Sequence, residues 1–209
     1  YRSDLVDPPI TDFKQFWDKK FDGMRGTYIT SNTLQMVFFL ASCQAFGKDA
    51  YDLEAGYQAM RDAMPAKISD FTGNMQTLVE RGEVQIGVQW EGECYLQMDK
   101  GIPVDNFIWQ HQKPLLTQTH TVSKYSDPVQ KKLALAYVNE KLDPKFMNKA
   151  GETFYLRPTI KNAELPELLT SKGVKNDANA LDGLHTPDWN FYLENEDDIV
   201  ETVNEIFTS

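Results

Sequence analysis

Apolar and polar side chains alternate most cleanly over Val84-Gln85-Ile86-Gly87-Val88-Gln89-Trp90, and a period of two predicts a strand there. Gly26-Thr27-Tyr28-Ile29-Thr30 is β-branched and aromatic and predicts a second strand. Val104 to Trp109 and His120-Thr121-Val122 are further strand candidates. Elsewhere the apolar positions recur at helical spacing. Leu53, Tyr57, Met60 and Met64 do so between Asp52 and Pro65, and Ile199, Val200, Val203 and Ile206 do so near the end of the chain.

Punctuation agrees with this reading. Thr11-Asp12 ahead of Phe13 to Trp17 reads as a helix start, and Ser31-Asn32-Thr33 caps a helix that runs to Phe46 and stops at Gly47. A polar turn, Phe71-Thr72-Gly73-Asn74, leads into a helix through Val79. After Trp90, Glu91-Gly92-Glu93 closes the strand and a short helix follows to Gly101. Asp127-Pro128 opens a helix with Leu133, Ala136, Tyr137 and Val138 on one face. Asp143-Pro144 opens another that ends near Gly151, and the chain between Thr170 and Gly183 is irregular. Strands alternating with helices in this way predict an α/β layered fold.

The longest apolar run, Met36-Val37-Phe38-Phe39-Leu40-Ala41, is far short of a membrane span. No basic-then-apolar leader opens the chain, so a mature chain or one starting inside a longer precursor is expected. A net charge of −10 without a Lys/Arg cluster excludes the counterion-releasing patch that nucleic acid requires. Cys43 and Cys94 match neither a metal spacing nor a redox motif. They either pair in an oxidising compartment or serve as two buried small side chains, the commoner use of cysteine.

Catalytic motifs are missing from the sequence. His111, His120 and His185 form no metal-ligand pair, and no nucleophile elbow, P-loop or dinucleotide-binding glycine pattern occurs, so no cofactor or metal is expected. Glu91 and Glu93 are two carboxylates at a strand end, but acid–base chemistry would still need a partner. What the chain does supply is polar and aromatic groups where strands end and helices begin: Ser31, Asn32, Thr33, Thr72, Asn74 and Trp90. Ligands of open α/β sheets bind at such ends. Capping alone would also account for the polar residues, and core packing for Trp90.

The order of segments then resembles a family. Val6-Asp7-Pro8, Phe16-Trp17-Asp18 and Arg25 to Thr30 resemble the second-lobe opening of spermidine/putrescine-type periplasmic binding proteins, the extracellular solute-binding family 1. Gly82 to Gly92 resembles that family's "GEV.lg..W.G" run. Tyr137-Val138-Asn139 to Leu142-Asp143-Pro144 resembles its helix with "L.P", and Tyr155 with Pro158 its "Y.P.n" turn. Pro187-Asp188-Trp189-Asn190 is similar to its late tryptophan segment.

The resemblance implies the two-lobed α/β fold of type 2 periplasmic binding proteins, with mixed sheets flanked by helices. Residues 1–113 would be lobe 2, residues 114–162 a returning segment of lobe 1, and residues 163–209 a segment packing back on lobe 2. It implies about a hundred preceding residues in lobe 1, present as another chain, cleaved or unread, without which the lobe-1 segment would expose an apolar face. It implies hinge closure over a small organic solute, docking on an ABC permease in the inner membrane, and a periplasmic or cell-surface lipoprotein location. Cleft-facing positions fall at Asn32, Thr33, Trp90, Gln118, Tyr155 and Asn190.

Where the family's polyamine binders carry acids after the first strand, this chain has Ser31, Asn32, Thr33 and Met36, and Gln118 replaces the acid expected after the hinge. An uncharged or zwitterionic solute stacked on Trp90, with Tyr155 from the opposite lobe, is therefore implied in place of a polyamine; Glu91 or Glu93 could add one charge. Tyr155 has no adjacent tyrosine of the kind ferric-ion binders use. Two alternatives stay open: an enzyme on the same fold using Cys94 or a carboxylate, and the ligand-sensing domain of a receptor.

Overall fold

The computed structural model of the chain describes residues 1–109 and 113–209, so His111 lies outside the described residues. The chain divides into two compact units, residues 1–115 with 183–209, and residues 116–182.

The first unit is built on a parallel sheet in the order β2-β1-β3, formed by β1 (Arg25–Tyr28), β2 (Ala66–Ser69) and β3 (Ile86–Gly87). Arg25 is level with both Ala66 and Ile86. Helices α1 (Thr33–Phe46) and α2 (Leu53–Ala63) connect β1 to β2, α3 (Thr72–Glu80) connects β2 to β3, and α4 (Glu91–Asp99) follows β3. As a parallel strand with a neighbour on each side, β1 is buried along its whole length, which is why its sequence does not alternate.

Burial extends to a charged residue at its start. Arg25 is 1% exposed, and its guanidinium donates to the carbonyls of Phe16 (2.6 Å), Asp18 (2.8 Å) and Ala63 (3.3 Å) and to Asp22 Oδ1 (2.8 Å). A buried arginine is tolerated because every such bond replaces one to water. Gly26 has a different reason. A Cβ there would lie 2.6 Å from Met75 Sδ and 2.8 Å from Val84 Cγ1, so only glycine lets α3 pack against the strand.

The core is carried by α1. Phe38, Phe39, Leu40 and Cys43 pack with Tyr57 and Met60 of α2 and with Ile199, Val203 and Ile206 of α9 (Glu196–Thr208). Trp17, in a single 3-10 turn over Phe13–Trp17 capped by Asp12, stacks on Phe38 at 5.5 Å. A two-stranded parallel ladder, β4 (Lys113–Pro114) with β5 (Leu184–His185), leads into α8 (Trp189–Glu194). Cys43 and Cys94 are both buried and neither is in a disulfide, in line with the second reading of the pair.

The second unit holds α5 (Pro128–Glu140), α6 (Pro144–Phe154) and α7 (Glu167–Ser171). Asp127 caps α5 with a capping box and Asp143 caps α6, both ahead of a first-turn proline. Tyr155 ends α6 in the left-handed region at φ 52° and is buried, as are Ala163, Leu169 and Val174. Helix α5 has no buried residue, and Val129, Leu133 and Tyr137 are 60–68% exposed. The apolar stripe of α5 thus lies open.

Several expectations need correction. The strand at Val84–Trp90 shrinks to two ladder residues, because among the described residues β3 pairs with β1 alone; alternation reports half-burial and not ladder length. Val104–Trp109 is not a strand and makes one isolated bridge, Val104 to Arg2. His120–Val122 lies outside any strand. Helix α6 runs past Gly151 to Phe154, because that glycine faces Pro166 and does not terminate the helix. Residues 183–209 group with the first compact unit and residues 116–182 form the second.

Candidate functional site

All three strands of the main sheet point the same way, so their carboxyl ends share one edge, and each runs directly into a helix start. The edge is made of residues 29–33 after β1, 70–74 after β2 and 88–93 after β3. It therefore collects the amino ends of α1, α3 and α4, where backbone N–H groups lack intrahelical acceptors. Strand β1, with crossovers leaving on either side, makes this edge the point where the strand order reverses, the usual place for a ligand.

Each segment contributes in its own way. Asn32 caps α1, accepting from Leu34 N at 2.9 Å through Oδ1, and Thr33 is exposed in the first turn. Asp70 accepts from Phe71 N (2.9 Å) and from Asn74 Nδ2 (2.5 Å). Phe71 is 54% exposed, and its ring lies over the start of α3, where a Cβ on Gly73 would meet it at 2.8 Å. Trp90 is half-buried at the cap position of α4.

Behind these groups lies a polar pair without full hydrogen bonding. Tyr28, the last residue of β1, is wholly buried, and its hydroxyl has no hydrogen-bond partner among the described residues. Glu93, in the first turn of α4, bonds Thr72 with its carboxyl group, yet its Oε2 is buried and unpartnered. Burial pushes the Glu93 carboxyl above its ordinary range, and the bond from Thr72 opposes that rise. Burial, and then the nearby Glu93 carboxylate, holds the Tyr28 phenol above its usual range.

The six expected residues are distributed unevenly. Asn32, Thr33 and Trp90 sit on the carboxyl edge. Asn190 is exposed in the first turn of α8, where neighbouring Asp188 accepts from Tyr51 and Phe191 packs edge-on against Tyr51. Tyr51 follows the carboxyl end of α1, about 20 Å of helix away from the Asn32 cap. Asn190 is therefore not brought to the edge. Gln118 is exposed and Tyr155 buried, both in the second unit. Tyr28, Asp70 and Phe71 lie outside the sequence-based expectation. Strand β2 is four residues long and starts directly after Pro65, so nothing in the sequence marks Asp70-Phe71 as a strand end.

For the alternative chemistry, Cys94 is 5% exposed on α4, buried in the way of a packing residue. Burial pushes the Cys43 thiol up to about 12, well away from a thiolate at neutral pH. Among the described residues, no three His, Cys, Asp or Glu side chains group as a metal site.

No protein-family model matches the chain. Over 186 residues, 85% of its length, it is 23% identical to the spermidine/putrescine-binding periplasmic protein of Escherichia coli, covering 52% of that protein. The protein of the same description from Salmonella typhimurium is also 23% identical, over 86% of this chain and 52% of its own length. The chain thus spans about half the length of the curated relatives it matches. Among solved structures, a chain from Bordetella parapertussis described as an extracellular solute-binding protein superposes with a TM-score of 0.72 at 16% identity. That match covers 98% of this chain and 64% of the other. An ABC transporter structure from Clostridium perfringens gives 0.72 at 16% identity, covering 98% and 65%. The fold is the α/β architecture of extracellular solute-binding proteins, as the sequence resemblance implied.

Proposed function

We propose that this chain is part of the substrate-binding component of an ABC importer, located in the periplasm or at the cell surface. It would capture a small polar organic solute and present it to a membrane permease. The observation that carries this reading is the carboxyl edge of the main sheet. There three helix amino ends, two aromatic side chains and two buried polar groups stand together, and no metal-ligand cluster occurs among the described residues. Small-molecule sites have this make-up, a few fixed polar groups among apolar walls.

Relatives named for periplasmic binding, and structural neighbours named for solute binding and ABC transport, support transport over catalysis. Asn32, Thr33 and Trp90 would contact the solute from the edge, with Phe71 as a second wall. Gln118 and Tyr155 are proposed as contacts on the resemblance alone, and Asn190, which lies away from this edge, is not among them. The open apolar face of α5, together with the shorter span relative to its relatives, supports further residues of the same protein covering the second unit.

Thermal denaturation of the full-length protein against a panel of polar metabolites tests the reading. A specific rise in Tm that Trp90→Ala abolishes is expected. No rise with any member, combined with turnover of one of them, would replace binding with catalysis.

A further inference from the structure

Between α1 and the start of α8 the first unit has a cavity of about 80 Å³. Val37, Leu40 and Gln44 line it from α1, at a spacing that puts them on one side of the helix. Tyr51, Pro187 and Phe191 line it from the facing segments. Val37, Leu40 and Pro187 are buried, so the floor is apolar, whereas Tyr51 is 51% exposed at the rim. None of these residues belongs to the carboxyl edge of the sheet.

The rim is held in place before anything binds. The Tyr51 hydroxyl donates to Asp188 Oδ2 at 3.2 Å, Phe191 N donates to Asp188 Oδ1 at 3.0 Å, and the Tyr51 and Phe191 rings meet edge-on at 4.7 Å. Fixed aromatic rings beside an apolar floor make the kind of pocket that seats an anchor side chain at a protein interface, with little ordering left to do. The cavity has about half the roughly 150 Å³ that holds benzene, so it admits one aliphatic side chain and not a ring-sized solute.

Charge selects what surrounds that side chain. Residues 183–209, which supply one wall, contain no Lys or Arg, and Asp188 and Glu194 are exposed three residues to either side of Phe191. On the other wall Asp49 is exposed and accepts from Tyr51 N at 2.9 Å. Lys48 and Lys113 adjoin the two walls, against Asp49, Asp52, Asp188 and Glu194, so the surround is net acidic. A second copy of this chain would set the same acids against each other, and nucleic acid or an anionic membrane would be repelled. A protein segment with Lys or Arg on either side of an aliphatic residue matches both floor and rim.

We propose that this cavity is a docking site for a basic segment of a partner protein, which seats one leucine-sized side chain beside Tyr51 and Phe191 and sets its Lys or Arg side chains against Asp49, Asp188 and Glu194. The site goes beyond solute capture and stands whichever solute the carboxyl edge takes.

Calorimetric titration of the full-length protein with the peptide acetyl-Lys-Lys-Leu-Lys-Lys-amide, and with the same peptide carrying alanine at its centre, tests the proposal. The leucine-centred peptide is expected to bind about tenfold more tightly, and to weaken about tenfold between about 50 and about 300 mM salt. Ala50→Leu fills the cavity from a half-buried loop position and should erase the preference for leucine. Asp188→Asn, which keeps an oxygen for the α8 cap, should weaken the peptide about threefold. Hydroxyl-radical footprinting should find Tyr51 and Phe191 reactive in the free protein and protected by the peptide.

Equal binding of the two peptides, binding of neither, or wild-type binding by Ala50→Leu would each overturn the site. So would Tyr51 and Phe191 already protected in the free protein. Protection lost on dilution would give the surface to a second copy, and protection at every concentration to another segment of the same protein.

Discussion

The hydroxyl of Thr30 donates to Asn204 Oδ1 at 3.1 Å, tying the loop that leaves β1 to a helix 174 residues further along the chain. The contact is partly buried, and Thr30 lines a small cavity with Met36, Phe39, Tyr192, Ile199 and Val203. Helix α9 therefore holds in place the segment that carries Asn32 and Thr33. Asn204→Ala is expected to cost about 1 kcal/mol of stability and to speed hydrogen exchange at residues 29–33. Urea denaturation and exchange mass spectrometry check the two effects, and exchange that stays slow would uncouple α9 from the loop.

Glu93 makes the ligand-free protein respond to pH in an unusual direction. Its carboxyl is raised by burial, so the folded state holds the proton to higher pH than the unfolded chain does. Its contribution to stability is therefore full below the unfolded carboxylate range and is lost as pH rises through the raised value. Glu93→Gln removes the buried charge. Its Tm should exceed that of the wild type by about 2–4 °C near neutrality, and the difference should vanish below about pH 4. Scanning calorimetry at the two pH values reads this directly.

Asp52 behaves in the opposite way. Backbone N–H groups of Lys48 and Ala55 hold its carboxyl below the ordinary value while it caps α2. Stability from this group is present above the unfolded range and lost as pH falls through the lowered value. Asp52→Ala should lower Tm near neutrality and converge with the wild type in acid, which a calorimetric pH series would show. Failure to converge would assign the loss to packing and not to the ionised cap.

How far the sequence carried can be seen at particular residues. Asn32, Gly47, Asp52, Asp127 and Asp143 are all where their capping chemistry placed them, because a cap depends on the chain within four residues. Strand lengths were not legible in the same way. Val84–Trp90 alternates over seven residues yet pairs over two, since ladder length is set by what β1 offers across the sheet. Ala66-Lys67-Ile68-Ser69 alternates over only four residues directly after Pro65, too short a run to read as a strand, and is one because β1 lies beside it. The site follows the same rule. Asn32 and Trp90 could be read from a strand end, whereas the burial of the Tyr28 hydroxyl and of Glu93 Oε2 exists only in the folded chain.

Trp90 separates binding from folding. It is half-buried at the start of α4, so Trp90→Ala should cost stability modestly, below the 3–5 kcal/mol or so of a fully buried tryptophan. Solute affinity should fall at least about tenfold through loss of the stacking surface. Titration together with denaturation of this one variant distinguishes a binding wall from a core residue. A large stability loss with affinity unchanged in the folded fraction would place Trp90 in the core.

We propose that the carboxyl edge of the β2-β1-β3 sheet captures a small polar solute for transport. Native mass spectrometry of the undenatured full-length protein, followed by mild denaturation, tests it most directly. The account predicts a released small organic molecule that is absent from Trp90→Ala. A wild-type protein that carries and binds no solute, and that turns over amines or esters, would contradict it.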